Sequence, residues 1–447
     1  MQTVHIIGAG LAGSEAAWFL AERGVKVVLH EMRPTVSTPA HKTGQCAELV
    51  CSNSLKSKSP VSAPGIMKTE MRLVGSLILS AAEAAEVPAG EALAVDRDVF
   101  SGFITGKIRN HPNIRFEDGE VTRPFENENE ITLIATGPLT SDGLTAWIAG
   151  ATGNDDLYFY DAIAPIIDAG TIDMSRAFKA NRYDKGGAEA YINCPLNKEE
   201  YEAFIDALLA GEKVPTKNFE KEKYFQGCQP IEAIVATGRD SLRFGPMKPV
   251  GLVDPSTGHR PWAAVQLRPE NRSCTAYNIV GFQTRLKYGA QTKALRMIPA
   301  LQNAEFLRMG SMHRNTFLCG PKVLRPDLSL KGHPRVYFAG QITGVEGYLE
   351  SAASGMLAAI FILARIRERP HSAPPANTAL GALLSHVTAS DPEHYQPNNI
   401  QFALFDPKFF EGTEGLKKDP LREALAQQAP GYLKEWMRSC GQLFSSL

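Results

Sequence analysis

Two cysteines carry the chemistry this sequence offers. Cys51 stands in Cys51-Ser-Asn-Ser-Leu-Lys-Ser57, a polar loop with Lys56 and Lys58 close by. Cys228 stands in Gly227-Cys-Gln-Pro230, a turn whose small and rigid neighbours expose a thiol. A thiolate attacks well and leaves well, so each is a candidate for covalent attack or for proton transfer. Cys46, Cys194, Cys274, Cys319 and Cys440 read as buried small hydrophobes. Seven is an odd count, and no pair has Cys-x-x-Cys spacing. Neither a disulfide framework nor a metal site is expected.

A second set of residues is built to hold a phosphate-bearing ligand. Gly8-Ala9-Gly10-Leu11-Ala12-Gly13 follows the apolar run Thr3 to Ile7 and opens a segment with helical apolar spacing that ends at Gly24. Val25 to Leu29 reads as the next strand, with Glu31 near its end. Gly8 permits the tight turn, Gly10 lets backbone approach a pyrophosphate, and Gly13 lets helix and strand pack closely. The helix N-terminus offers N–H groups and a positive dipole end. Glu31 can accept hydrogen bonds from a ribose. Alone, these residues do not separate FAD from NAD or S-adenosylmethionine.

The elements that must position these groups follow from periodicity. Residues 34–64 read as a long functional loop, because a loop of that length needs a reason. Residues 65–86 look helical, 94–97 form a strand and turn, and 98–110 form a helix. Glu130 to Gly137 is a strand ending in Ala-Thr-Gly. Val336 to Phe338 is another, followed by Gly340-Gln341-Ile-Thr-Gly344, Gly347-Tyr348 and an apolar helix to Ala364. A helix N-terminus in that position suits a flavin ring and its phosphate chain. Tyr348 reads as a ring-stacking residue or a core aromatic. Glu346 and Glu350 read as flavin-side hydrogen-bonding groups or helix caps. The tail from Thr378 contains helical pieces at 420–428 and 430–439 and reads as packing.

The fold class expected is α/β: a discontinuous, Rossmann-like FAD-binding domain of glutathione-reductase type with an inserted α+β domain. The FAD domain takes residues 1–160 and 330–447, with a C-terminal helical tail, and the insertion takes 161–329. The 447 residues are 44% hydrophobic and 21% charged, ordinary for a globular chain. The run Thr3 to Ile7 is too short for a signal-peptide core, and 352–364 is too short to span a bilayer. A cytoplasmic protein without membrane attachment is expected.

Gly8 to Ala17, Cys51 to Ser57, Phe225 to Glu232 and Gly340 to Gly355 together resemble the FAD-dependent methylenetetrahydrofolate–tRNA-(uracil-5-)-methyltransferases, the TrmFO family, related to the MnmG/GidA flavoproteins. The resemblance runs from Met1 to about Gln401. It implies methylation of C5 of a tRNA T-loop uridine (position 54), with methylenetetrahydrofolate as carbon donor, reduced FAD as reductant and NAD(P)H to recharge it. It further implies that the flavin carries the one-carbon unit to the uridine. FAD would lie on Gly8, Ala9, Gly10, Leu11, Ala12, Gly13, Glu31, Gly137, Gly340, Gln341, Gly347 and Tyr348. The wobble-uridine carboxymethylaminomethyl-modifying relatives carry Cys-Asn-Pro after the first βαβ unit, where this chain has Cys51-Ser-Asn-Ser; they are the alternative, as is the same methylation on ribosomal RNA.

That reaction explains the thiols. Uracil C5 becomes nucleophilic when a thiolate adds at C6, and a base must then remove the C5 proton. Cys228 is assigned to the attack and Cys51 to proton transfer. The target base must be extruded from its RNA. Between Arg239 and Arg335 there are 16 Lys+Arg against 5 Asp+Glu, a balance of +11; with a net charge of −1 the rest carries −12. Such a segment suits a polyanion or neutralises acidic faces of its own protein. The candidate phosphate contacts are Arg239, Arg243, Lys248, Arg268, Arg272, Arg285, Lys287, Lys293, Arg296 and Arg314.

Overall fold

The structure is a computed structural model describing residues 2–38, 40–153, 158–184, 191–214, 229–271, 273–369, 372–393, 395–416 and 418–444. The chain opens with β1 (Thr3–Ile7), α1 (Leu11–Ala21) and β2 (Lys26–Glu31), as the glycine pattern requires. Next come β3 (Ser54–Ser57), α2 (Ala63–Val74), α3 (Leu77–Ala84), β4 (Glu86–Val87), β5 (Ala92–Val95), α4 (Arg97–Arg109), β6 (Ile114–Asp118), β7 (Glu130–Ile134) and α5 (Asp142–Thr152). The middle of the chain supplies β8 (Tyr158–Ile163), β9 (Ile166–Asp168), β10 (Phe178–Lys179), β11 (Ile192–Leu196), α6 (Lys198–Ala210), α7 (Ile231–Ala236), β12 (Ala263–Pro269), β13 (Ala276–Ile279), α8 (Tyr288–Leu295), β14 (Phe306–Arg308) and β15 (Ser311–Thr316). Then follow α9 (Gly320–Val323), β16 (Ser329–Leu330), β17 (His333–Phe338), α10 (Tyr348–Ile366), α11 (Ala379–Ala389) and α12 (Lys418–Ser439).

Strands from both ends of the chain build one sheet in the order β16-β17-β7-β1-β2-β6. All its pairings are parallel except β16 with β17. The chain leaves β1 toward β2 on one side and later returns as β7 on the other. A crevice therefore opens beyond the C-terminal ends of β1 and β7, the usual ligand position in such sheets. Helix α10 is buried nearly all round. It packs so closely on α1 that a Cβ on Gly355 would stand 2.2 Å from the Ala12 carbonyl oxygen. At 19 residues α10 is long and apolar enough to cross a membrane, but its side chains are spent on the protein core.

A second six-stranded sheet, β10-β11-β12-β13-β9-β14, is antiparallel throughout and has a hydrophobic core of its own. Two small antiparallel sheets, β3-β5-β4 and β8-β15, complete the strands.

Three details differ from expectation. The long loop holds β3, paired with β5. The helix expected over 65–86 is two helices, because Gly75 takes φ +93 and ends the first in a left-handed cap. The two C-terminal pieces form one helix, α12, that runs through Pro430. Its buried residues Leu425, Ala429, Leu433 and Trp436 recur at helical spacing on both sides of the proline. That shared apolar stripe offsets the hydrogen bond the proline removes.

Candidate active site

The glycine turn has the geometry a dinucleotide needs. Gly8 adopts φ +101, and a Cβ there would stand 2.7 Å from the Ala135 carbonyl oxygen. A Cβ on Gly13 would stand 1.9 Å from the Gly8 carbonyl oxygen, so only hydrogen lets α1 seat on the turn. Above Gly10 there is open space to 4 Å. Helix α1 starts at Gly10 with no side-chain cap and no acid in its first turn. Helix α10 starts at Gly347, φ +113, also without a side-chain cap. Gly340, at the end of β17, lies against Ala12: a Cβ on it would be 3.1 Å from the Ala12 Cβ. Two helix N-termini without side-chain caps thus lie at one sheet edge, that of α10 with Glu350 in its first turn, which suits a ligand with a pyrophosphate at one end and a ring that gains negative charge on reduction at the other. On this count the residues present fit FAD.

The cleft beside the turn is lined by Gly8, Gly10, His30, Glu31, Arg33 and Thr136 among others. Glu31 is there, but its carboxylate is engaged. It accepts from the Ala9 N–H at 2.9 Å and from Arg33 through N, Nε and Nη2 at 3.0, 2.8 and 3.0 Å. A ribose hydroxyl would share those oxygens with Arg33. Burial alone would raise the carboxyl, but the hydrogen bonds and charge of Arg33 hold it below the usual range. Arg33 was not singled out in the sequence, although its place two residues after the strand-ending acid was a usable signal. Gly137 follows β7 with φ +66 beside the same cleft. Gln341 opens a single 3-10 turn after Gly340.

Cys51 joins the second half of the site. Its N–H donates to the Tyr348 hydroxyl at 2.7 Å, which ties the Cys51 loop to the first residue of α10. Tyr348 is therefore a hydrogen-bonding residue as well as an aromatic one, and burial pushes its phenol above the ordinary value. The Cys51 carbonyl accepts from Arg97 at 2.7 Å and Arg308 at 3.0 Å. Glu350 is fully buried and bonded to Lys56 Nζ at 2.5 Å and to the Ile400 N–H at 2.9 Å. It fastens the Cys51 loop and the C-terminal segment to α10. The tail does more than pack, since Asn398 also pairs with Gly344 and Glu346.

The remaining thiols differ in kind. Cys46 and Cys194 are buried, and burial pushes them up to about 11 and about 12. Cys274, Cys319 and Cys440 are half-buried. Cys228 and Arg272 lie outside the described residues, as does the Arg314 side chain. Among the described residues no group of three His, Cys, Asp or Glu is placed to hold a metal ion.

The basic segment is partly spent at home. Arg239 pairs with Glu202 at 2.6 Å and Asp206 at 2.8 Å, Arg243 with Asp240 at 3.2 Å, and Lys287 with Glu212. Arg268 is buried on Asn53 at 2.9 Å, and Arg296 donates to the Ala304 carbonyl. Lys248 and Lys293 are exposed.

A family model described as "Glucose inhibited division protein A" matches residues 3–370. A methylenetetrahydrofolate–tRNA-(uracil-5-)-methyltransferase TrmFO of Geobacter sulfurreducens is 53% identical over 435 residues, covering 97% of this chain and 98% of the relative. A protein of the same name from Koribacter versatilis is 55% identical over 401 residues, 90% of each chain. The solved structure of Aquifex aeolicus GidA superposes with a TM-score of 0.69 at 16% identity, over 99% of this chain and 74% of that one, which bears on the fold alone. Near-complete coverage in both directions at this identity leaves one conclusion: the chain belongs to the methylenetetrahydrofolate–tRNA-(uracil-5-)-methyltransferase TrmFO family.

Proposed function

We propose that this chain methylates C5 of a tRNA uridine with methylenetetrahydrofolate as carbon donor, at the T-loop position 54 that the family resemblance implies. The carrying observation is the tie between Cys51 and Tyr348, which sets a thiol-bearing loop against the N-terminus of α10 beside the dinucleotide turn. Gly8 to Gly13 and Glu31 would hold the adenosine diphosphate half of FAD, with Gly137 at the border of that cleft. Gly340, Gln341, Gly347 and Tyr348 would hold the flavin half. Bound FAD, recharged by NAD(P)H, supplies the two electrons that take carbon from the formaldehyde level to methyl.

The chain's own groups do the rest. Cys228 is assigned attack on C6, which makes C5 the nucleophile toward the one-carbon donor. Cys51 is assigned removal of the C5 proton, after which the C6 thiolate is expelled. We read 1–160 with 330–447 as the FAD domain and 161–329 as the RNA-facing insertion; the two separate sheets and cores support that division. An enzyme of tRNA has its place in the cytoplasm. The wobble-uridine alternative is not favoured. Relatives 53% and 55% identical over nearly the whole chain are named for uracil-5 methylation.

The test is purified protein with tRNA transcript, methylenetetrahydrofolate and NAD(P)H, with nucleosides read by mass spectrometry. 5-Methyluridine should form only when folate and reductant are both present, and Cys51→Ala or Cys228→Ala should abolish it. Normal flavin turnover with no methylated tRNA would overturn the tRNA assignment, and ribosomal RNA would be assayed next.

A further inference from the structure

Three consecutive carbonyls of the Cys51 loop are held by two guanidinium groups. Arg97, the first residue of α4, donates to the Leu49 carbonyl and to that of Cys51. Arg308, at the end of β14, donates to the Val50 and Cys51 carbonyls, both at 3.0 Å. Glu270, 5% exposed, fixes Arg97 through its Nε. Two residues further along the loop, Asn53 accepts from Arg268 at 2.9 Å and donates to the Pro269 carbonyl at 2.9 Å. The loop that carries the thiol is therefore bonded to the second sheet at Val50, at Cys51 and again at Asn53.

A loop needs no cations merely to satisfy carbonyls, because any N–H would do. Here two are spent on one short stretch, although burial and the mutual repulsion of Arg97 and Arg308 work against Arg308. Like charges held together beside a thiol have a chemical use: cations favour the thiolate, the form that can take a proton. The charged and titratable groups around Cys51 include Arg97 on α4, Glu270 after β12, Arg308 on β14 and Tyr348 on α10. With Glu270 counted against Arg97, the positive charge left over is that of Arg308.

We propose that Arg97 and Arg308 are positioning residues for Cys51, fixing its peptide and favouring its thiolate, and that through Arg308 the second sheet sets where the thiol stands. The inference rests on the reading of Cys51 as a working thiol. It makes the insertion part of the active site and gives docking of the second sheet a direct route to the chemistry.

The test is alkylation of Cys51 by iodoacetamide from pH 6 to pH 10 in the purified flavoprotein, resolved by peptide mass spectrometry. It is run on wild type, Arg308→Gln and Arg308→Lys, with flavin content and thermal melting followed in parallel. In Arg308→Gln the pH midpoint of Cys51 alkylation should rise by about one unit, the low end of the effect of one nearby charge. Arg308→Lys should keep most of the wild-type midpoint, because the charge remains. It should still lose about tenfold in 5-methyluridine kcat, because an ammonium cannot grip two carbonyls as a planar fork does. The proposal is overturned if both variants, with wild-type flavin content, alkylate with the wild-type midpoint. Wild-type protein that makes no 5-methyluridine would instead sink the proposed function, and the alkylation midpoints would still judge the clamp.

Discussion

Gly10 and Gly13 separate two duties that a glycine pattern leaves merged. At Gly13 an added methyl meets backbone 1.9 Å away, whereas at Gly10 it meets nothing within 4 Å. Gly13→Ala should cost about 1–3 kcal/mol of stability, the usual range for overpacking, and should reduce flavin content. Gly10→Ala should purify with less flavin, because its methyl stands where the phosphates approach, and yet, once both are stripped of flavin, should melt as wild type does. Absorbance ratios and melting curves on the two variants check this. Equal flavin content in Gly10→Ala and wild type would remove Gly10 from the binding surface. The thiols sort in the same way. Cys46 and Cys51 are close in sequence, but Cys46 is held up to about 11 by burial. At pH 8 iodoacetamide should modify Cys51 and spare Cys46 and Cys194. The sequence already set Cys46 and Cys194 apart as buried thiols; what it did not show is the surroundings that bury Cys46, which include Thr105, 59 positions away.

Helix starts show where local pattern ends and tertiary structure takes over. Helix α4 is capped by Asp96 and α6 by a capping box at Asn197 and Glu200, all visible in sequence. Helices α3 and α11 have local caps at Ser76 and Thr378 and are held in addition by distant buried acids. Glu15 on α1 accepts from the Leu77 and Ile78 N–H groups. Glu70 on α2 accepts from those of Ala379 and Leu380, some 310 residues away, at 2.8 and 2.9 Å. No periodicity predicts such a pair. Burial raises Glu15 to about 7 and Glu70 to about 8, against an ordinary 4.5. With folded values above unfolded ones, the folded state holds protons that the unfolded chain has released. Their contribution to stability is therefore complete below about pH 4.5, declines as pH rises, and is gone above about 8. Glu70→Gln, which cannot ionise, should flatten part of the fall in melting temperature between pH 5 and pH 8. Glu70→Ala should cost about 1–3 kcal/mol at either pH, through unpaired N–H groups. A melting profile of Glu70→Gln parallel to wild type across that range would show that Glu70 is not the group responsible.

The strand–glycine–helix units at both ends of the chain were legible because their signals are local: a turn that only glycine permits, then an apolar helix. The antiparallel second sheet was legible only as an insertion with a charge surplus, since its strands are short and pair across up to 142 residues. The surplus itself changes meaning once folded. Arg239, Arg243 and Lys287 face Glu202, Asp206, Asp240 and Glu212 of the same part of the chain, so much of the positive charge answers acids nearby. What remains for a polyanion is narrower. Lys248, Arg260 and Lys293 are exposed without an ion pair among the described residues, the first two in the segment that also presents Phe244 at 81% exposure. Exposed cations and an open aromatic in one stretch of chain suit a nucleic-acid backbone and an unstacked base. Removing one cation that neutralises a phosphate should lower the slope of log affinity against log salt by about one. Labelled tRNA titrated between 50 and 200 mM salt should thus give a slope smaller by about two for Lys248→Gln with Arg260→Gln. Arg239→Gln should leave the slope unchanged, because that guanidinium is already answered by two carboxylates. If Arg239→Gln lowers the slope as much as the double variant does, its ion pairs open on binding, and the whole basic segment rather than this narrow face carries the RNA.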